Sequence, residues 1–426
     1  MGLWSKYGQP LEYGYKYSGG MGTFSSYHEP VAIYSEVARK TFFVYSGTSK
    51  STESHLQIMV SFYDHKTHKV PKPVIVYDKM GVSDPQDNAS ITIDHQGYIW
   101  IFVSGRERTR PGIVFKSEAP YSIESFKQLY KGELILPQPW WISDSCMMLL
   151  HTEIKGERGL YWSKTKDGKI WSESKPLAFM GGGYQLSAAR GKRLITVFNY
   201  FPGKNHDKRT NIYFLQTDDA GETWKNIDNK VISTPLTQPG NEALVRDYES
   251  EGKLVYLQDL DFDNSGNPVI LALICRNYQP GPDGNPREWM IIHWTGSKWE
   301  FNKVCESGHN YDLGALFITA NDWKIIGPTE PGPQKFGTGG EMALWTSHDA
   351  GITWSRDAII TSGSLRNQSF ARRPVNAHKD FYCFWVDGDP GQMSISKIYF
   401  TNDKGNRLWV LPYLMKQESE KPALVK

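Results

Sequence analysis

Short apolar runs of about four to eight residues recur along the chain, separated by Gly, Asn and Asp turns. No stretch of about ten residues carries the spacing of an amphipathic helix. Seven of the runs look alike, each opening on polar or aromatic residues and turning apolar: His28–Tyr34, Asp87–Ile93, Gln138–Ile142, Tyr184–Ser187, Leu257–Phe262, Tyr311–Leu316 and Phe370–Val375. Several are followed by a turn and a second strand, as in Asp94-His95-Gln96-Gly97 before Tyr98 to Phe102. From His28 to Arg372 there are 344 residues in six intervals, about 57 per unit, which is a four-stranded unit with generous loops. The pattern predicts one all-β domain over residues 1–426 built from seven such units, with six or eight as alternatives. The charged tail Lys416 to Lys426 is expected to fray or to run across the rim.

The turns between runs repeat as well. Ser347 to Trp354 reads S-H-D-A-G-I-T-W and Thr217 to Trp224 reads T-D-D-A-G-E-T-W, with looser copies at Thr165 to Trp171 and Thr401 to Trp409. In such a turn the Asp side chain folds back onto backbone N–H groups, the Gly takes a positive φ and the Trp packs beneath. The spacing resembles the Asp-box of sialidase-like β-propellers. That likeness implies a seven-bladed β-propeller with the boxes on blade rims, away from any chemistry.

Composition narrows the partners. Net charge is +2 with both signs interspersed, which gives no support for nucleic acid, and no run of about 18 apolar residues exists to span a membrane. Aromatic residues reach 13%, with 15 Trp, a composition that suits carbohydrate handling and equally suits tightly packed blades. The four cysteines, Cys146, Cys275, Cys305 and Cys383, lie far apart with no zinc spacing and are expected as buried free thiols, one per blade. The opening M-G-L-W-S-K shows no basic segment followed by an apolar one, which leaves a cytosolic chain or a mature one whose leader has been removed.

In a propeller the heads of the inner strands meet at one mouth of a central channel. They would bring together His28, Gln86, Asn88, Gln138, Trp140, Tyr184, Gln185, Asp259, Tyr311, Asp312, Arg372 and Arg373. Polar groups there are costly unless they serve a site or cap the channel. His28 could exchange a proton near neutral pH, or could be a hydrogen-bonded channel histidine. Arg106, Arg108 and Arg110 follow the second unit, and Arg190, Arg209, Arg276, Arg372 and Arg373 fall in later ones. Guanidinium groups clamp carboxylates, so at least two of Arg106, Arg190, Arg209, Arg276, Arg372 and Arg373 are expected to reach the same pocket as His28 if the ligand is an acidic sugar. The other reading pairs each with a local Asp or Glu. Sialidase chemistry is not expected, because the first unit reads Y-H-E-P where an F-R-I-P type motif would stand. His55, His65, His68, His95 and His151 are scattered, so no metal ligands are assigned; no cofactor is required, and a structural divalent ion in the channel is left open.

Further stretches resemble the BNR-4 repeat family: D-P-Q-D-N-A-S-I-T-I-D from Asp84, N-Y-F-P from Asn199, V-Y-L-Q-D-L-D-F-D from Val255, R-E-W-M-I-I-H-W from Arg287 and A-R-R-P-V-N-A-H-K-D-F-Y-C-F-W-V-D-G from Ala371. Within it, G-G-M-G-T-F-S-S-Y-H and Y-D-H-K-T-H-K-V-P-K-P look like the gut-Bacteroidetes enzymes that remove L-rhamnose capping D-glucuronate on arabinogalactan, known as α-L-rhamnosidases or rhamnose–glucuronate lyases. The resemblance implies a periplasmic or secreted enzyme for an acidic plant glycan, with His28 as its active-site histidine; relatives lacking that histidine can be inactive. Gln86 stands where much of the wider family has His. One histidine can suffice, because the C5 hydrogen and C4 oxygen of D-glucuronate lie on one face of the ring. The expected substrate-binding set is Gln86, Arg106, Gln138, Trp140, Tyr184, Arg209, Arg276 and Arg372. A non-catalytic glycan-binding propeller or another polysaccharide lyase of the same fold is the alternative, and the oligomeric state is left open.

Overall fold

A computed structural model describes residues 2–20, 22–48, 56–81, 84–106, 109–392 and 394–426. Seven antiparallel sheets of at least four strands follow one another along the chain, each beginning with the strand nearest the axis. Those inner strands are Ala32–Ser35, Ala89–Ile93, Ile135–Ser143, Gln185–Arg190, Leu254–Phe262, Ala315–Thr319 and Asn367–Arg372, and neighbours from the first to the sixth touch. The architecture is a seven-bladed β-propeller. All seven units read from the sequence are blades, although His28, Asp87, Tyr184 and Tyr311 precede their strands rather than start them. Among the described residues the helical content is three short 3-10 turns, Pro85–Asp87, Pro202–Lys204 and Pro282–Gly284.

Among the described residues the ring is closed without exchange of a blade strand. Ile33 of blade 1 bridges Val375 of blade 7 in parallel, with Val375 N–H donating to Ala32 O and Tyr34 N–H to Val375 O, both at 2.9 Å. The hairpin Gly2–Leu11 and Gly14–Gly20 pairs with Ile395–Ser396 beside blade 7. The charged tail does not fray: Ser419–Glu420 pairs with Val70–Pro71 of blade 1, and Ala423–Leu424 adds a fifth strand to blade 7.

The tryptophans answer the question that composition left open. Trp100, Trp162, Trp289, Trp323 and Trp385 are almost wholly buried in blades 2, 3, 5, 6 and 7, where replacement by Ala would cost about 3–5 kcal/mol each. The turn glycines press on two of them: a Cβ on Gly221 would lie 2.6 Å from Trp162, and one on Gly351 2.6 Å from Trp323. Both Asp-boxes form as read. Thr217 Oγ1 donates to Asp219 at 2.8 Å and accepts Gly221 N–H at 2.9 Å, while Thr223 donates to the Asp219 carboxylate through N–H and Oγ1 at 3.0 and 2.6 Å. Ser347, Asp349, Gly351 and Thr353 repeat the same set. The four cysteines are free thiols, but Cys275 and Cys305 share blade 5, so they are not spread one per blade, and Cys146 is half-buried.

Candidate active site

The loops entering the inner strands, together with the loop leading into the third strand of blade 4, converge on one cavity at the mouth of the channel. Its polar wall holds Tyr27, Gln86, Tyr184, His206, Arg209, Tyr256, Gln258, Asn310, Tyr311 and Asp312, and its apolar floor holds Phe24, Leu136, Leu257, Leu313 and Phe370. Arg209 is its centre. It heads the strand Thr210–Thr217 and is only 5% exposed. Nη1 donates to Tyr27 Oη at 2.7 Å, Nη2 to Tyr311 Oη at 3.0 Å and Nε to His206 O at 3.2 Å. The rings of Tyr184 and Tyr256 flank the guanidinium at 4.6 and 4.8 Å. Four tyrosines from four different parts of the chain thus surround one cation, and none of its hydrogen bonds goes to a carboxylate. A buried charge is normally paired, so this one is set up to receive an anion.

The other polar groups of the wall are similarly open. His206 Nδ1, Gln258 Nε2 and both amide atoms of Asn310 are buried without a hydrogen-bond partner. Isolated cases of this kind are rare, and several on one cavity point to a polar ligand. Burial, with Arg158 and Arg209 adding to it, pushes the His206 imidazole down to about 4, so it is a neutral group at physiological pH. Burial pushes the Asp312 carboxyl up to about 7, although it accepts N–H groups from Gly339 at 2.6 Å and His309 at 2.8 Å. The site therefore holds one buried cation, neutral imidazole and amide groups, and two carboxyls: Asp312, poised near neutrality, and Asp207, which pairs with Lys16.

Of the residues expected from sequence, Gln86, Tyr184, Arg209, Tyr311 and Asp312 meet here. Gln86 Nε2 donates to Tyr184 Oη at 3.1 Å, and Tyr184 stacks on Tyr27 with ring centres 4.7 Å apart. His28 lies directly behind this wall, wholly buried, with Nε2 3.0 Å from Gln86 O. A carbonyl oxygen only accepts, so Nε2 carries the hydrogen and Nδ1 keeps a bare lone pair, which has no partner. Burial pushes the imidazole down to about 3, which corrects the expectation that His28 titrates near neutrality.

Of the six arginines, Arg209 lines the cavity and Arg372 lies against His28 behind its wall, and the other four lie elsewhere. Arg372 is spent on structure, donating to the backbone oxygens of Ser25 and His28 and to Glu29 at 3.3 Å. Arg106 pairs with Asp84 at 3.0 Å, and Arg276 is exposed. Arg190 and Arg373 line a separate cleft at the far ends of the inner strands, and so does Trp140, whose Nε1 donates to Ser187 at 2.8 Å. Gln138 holds blades together by donating to Tyr27 O at 3.1 Å and Gln185 O at 2.7 Å. Arg108 and His55 lie outside the described residues. Sequence reasoning missed His206, Gln258 and Asn310. They sit in loops or mid-strand, and only the nearness of His206 to Arg209 offered a signal. One group, His65, His378 and Asp380, has ligand atoms close enough for a metal ion, and none of the three lines the cavity.

Comparison with known proteins agrees with this architecture. Residues 144–307, from blade 3 to the end of blade 5, match the model of the BNR repeat-containing family. An ulvan lyase of Nonlabens ulvanivorans is 23% identical over 206 residues, which span 46% of this chain and 40% of that protein. Among solved structures, a PL25 ulvan lyase bound to -[GlcA(1-4)Rha3S]- superposes with a TM-score of 0.73 at 16% identity, over 92% of this chain and 96% of the other. The polysaccharide lyase Uly1 gives 0.62 at 13% identity, over 93% and 94%. The chain is a seven-bladed β-propeller whose third to fifth blades match the BNR repeat-containing family.

Proposed function

We propose that this propeller is a glycan-cleaving enzyme for an acidic glycan and that it releases terminal L-rhamnose from α-1,4-linked D-glucuronate of the arabinogalactan type. One observation carries the reading: Arg209, a buried guanidinium with phenol partners and no carboxylate, in a cavity lined by unpaired amide and imidazole groups. A glucuronate carboxylate would supply the missing anion, and its binding would stabilise charge developing at C5. The likeness to polysaccharide lyases, one of them bound to a glucuronate–rhamnose repeat, supports the same chemistry. In an elimination a base removes the C5 proton, the C4–C5 double bond forms, the C4–O bond breaks and the rhamnosyl oxygen takes up a proton. Hydrolysis would consume water and leave no double bond. A periplasmic or secreted location is the one this substrate calls for.

We assign the proton transfer to His28, whose Nδ1 is bare and unpartnered and lies behind the wall, so that the Gln86 segment must give way for it to meet the substrate. A carboxylate arriving nearby raises the affinity of that nitrogen for a proton. His206 is the second reading, because its own unpartnered Nδ1 belongs to a residue of the cavity wall. The test incubates the protein with gum arabic and follows free rhamnose and the ultraviolet absorbance of an unsaturated uronate. Rhamnose with absorbance means elimination, and rhamnose alone means hydrolysis. Binding without release makes the protein a glycan-binding propeller and overturns the proposal. His28→Gln is expected to lower turnover about 10²–10⁴-fold, the usual contribution of a general acid–base group. Should His206→Gln show that loss instead, the role moves to His206.

A further inference from the structure

Blade closure brings together three side chains that are far apart in the chain. His65 follows the third strand of blade 1, Gln57–Asp64, whereas His378 and Asp380 sit on a turn of blade 7 closed by Phe381 N–H on His378 O at 3.0 Å. Their ligand atoms all lie within 4.8 Å of one another, and the two imidazole rings are 4.0 Å apart, centre to centre. Tyr34, whose N–H forms part of the seam between the two blades, places its ring 5.1 Å from His65 and 4.9 Å from His378.

From this juxtaposition we infer that His65, His378 and Asp380 form a binding site for a divalent transition ion, Zn²⁺ by ligand type, which clasps blade 1 to blade 7. His65 carries the argument furthest. It is buried, its Nε2 is 2.8 Å from Thr41 Oγ1 and its Nδ1 is buried with no partner. One ring nitrogen fixed by a hydroxyl while the other is bare is the arrangement that orients an imidazole toward a metal. Two imidazoles and a carboxylate suit zinc, with water as a fourth ligand. Zinc–ligand bonds of about 2.0–2.1 Å put tetrahedral ligand atoms roughly 3.4 Å apart. His378 Nδ1 and Asp380 are already separated by 3.7 Å, and Nδ1 accepts Asp380 N–H at 3.2 Å, so the half-buried blade 7 turn completes the shell by releasing that bond and moving by up to about 1.4 Å. The role is structural. Among the described residues the propeller has no exchanged strand at this seam, and an ion held from both sides adds a cross-link between its first and last blades.

The test uses the full chain after treatment with a chelator, titrated with ZnCl2 by calorimetry, with Tm followed in parallel and Co²⁺ added as a spectroscopic probe. The expected result is uptake of one ion per chain, a Tm that rises with zinc, and visible cobalt bands of imidazole–carboxylate ligation. His378→Ala and Asp380→Asn, both on the rim, are expected to fold as the parent does without zinc, yet to bind it at least about tenfold more weakly and to lose the rise in Tm. No stoichiometric uptake by the parent overturns the inference. So does uptake unchanged in Asp380→Asn, the mildest substitution, whatever the fate of the other variant.

Discussion

Arg209 and Arg373 stand at opposite ends of the channel, the first buried and the second partly so, and they are held in opposite ways. Arg373 is matched in charge: its Nε donates to Asp259 at 2.9 Å and its Nη2 lies 3.2 Å from Asp261. Arg372 beside it is partly matched, by Glu29 at 3.3 Å. Arg209 receives two phenol oxygens, one backbone carbonyl and four aromatic faces. A matched pair completes itself, because each partner cancels the other's cost of leaving water. A cation among phenols keeps its charge available, since a hydroxyl offers a dipole and an aromatic face a weak quadrupole. The contrast separates an arginine that holds the ring from one prepared for a ligand.

The largest expected effect tests the first half of that contrast. Arg373→Met leaves Asp259 buried without its ion-pair partner and the half-buried Asp261 beside it, and should lower stability by about 3–5 kcal/mol, read from urea unfolding. A loss below about 1 kcal/mol would mean that the pair is solvated and that the contrast is false. Arg209→Met tests the second half. It removes a charge that has no anion to abandon, so its loss of stability should be clearly smaller than that of Arg373→Met. Its kcat/KM on a glucuronate glycan should fall about 10²–10³-fold, the range for removing one stabilising donor from an active site. If Arg209→Met unfolds the chain while Arg373→Met does not, the two roles are exchanged.

The arginines also show what the chain discloses before it is folded. Apolar runs and turn residues placed all seven inner strands, because those signals are local. The fate of an arginine is not local. Arg373 finds its carboxylate 114 positions away, and the four tyrosines around Arg209 come from Tyr27, Tyr184, Tyr256 and Tyr311. Arg276 and Arg106 carry the same side chain and end up exposed or paired, so residue type alone could not separate them. The histidines teach the same lesson. His65 and His378 look scattered until the ring closes and their rings meet.

Desolvation at the cavity end has a third consequence, expected to be smaller. Burial, with Arg287 second, pushes the His309 imidazole from 6.5 down to about 3. The folded protein leaves this group neutral while the unfolded chain protonates it, so its contribution to stability is complete above 6.5 and is lost as pH falls from 6.5 toward 3. By linkage the loss between pH 7 and pH 5 is about 2 kcal/mol. Asp312, raised to about 7, acts with the opposite sign, since the folded state holds its proton and this term weakens as pH rises toward 7. The parent alone therefore shows a mixed slope. Comparing the parent with His309→Asn isolates the histidine, and the stability gap between them should narrow by about 2 kcal/mol from pH 7 to pH 5. A gap that stays constant would show that water reaches His309, and the cavity end would not be the desolvated region that makes Arg209 distinctive.

The smallest effect belongs to a region that the contrast predicts to be silent. Asp219 sits in the turn after the third strand of blade 4, at the end of that strand opposite Arg209, and it accepts three hydrogen bonds, from Thr217 and Thr223. Asp219 is exposed and its donor Thr223 half-exposed, so water can replace the carboxylate, and Asp219→Ala should cost only about 1 kcal/mol. Gly221→Ala in the same turn should cost more, because Gly221 has φ +81° and its Cβ would lie 2.6 Å from the Trp162 ring. Neither substitution should change kcat/KM, since neither residue belongs to the cavity wall. The measurement is urea unfolding for both variants, with glycan cleavage at a temperature where both are folded. A fall in kcat/KM beyond about tenfold for Asp219→Ala would mean that the rim turn positions the strand carrying Arg209, and the Asp-box would then join the site it is expected only to support.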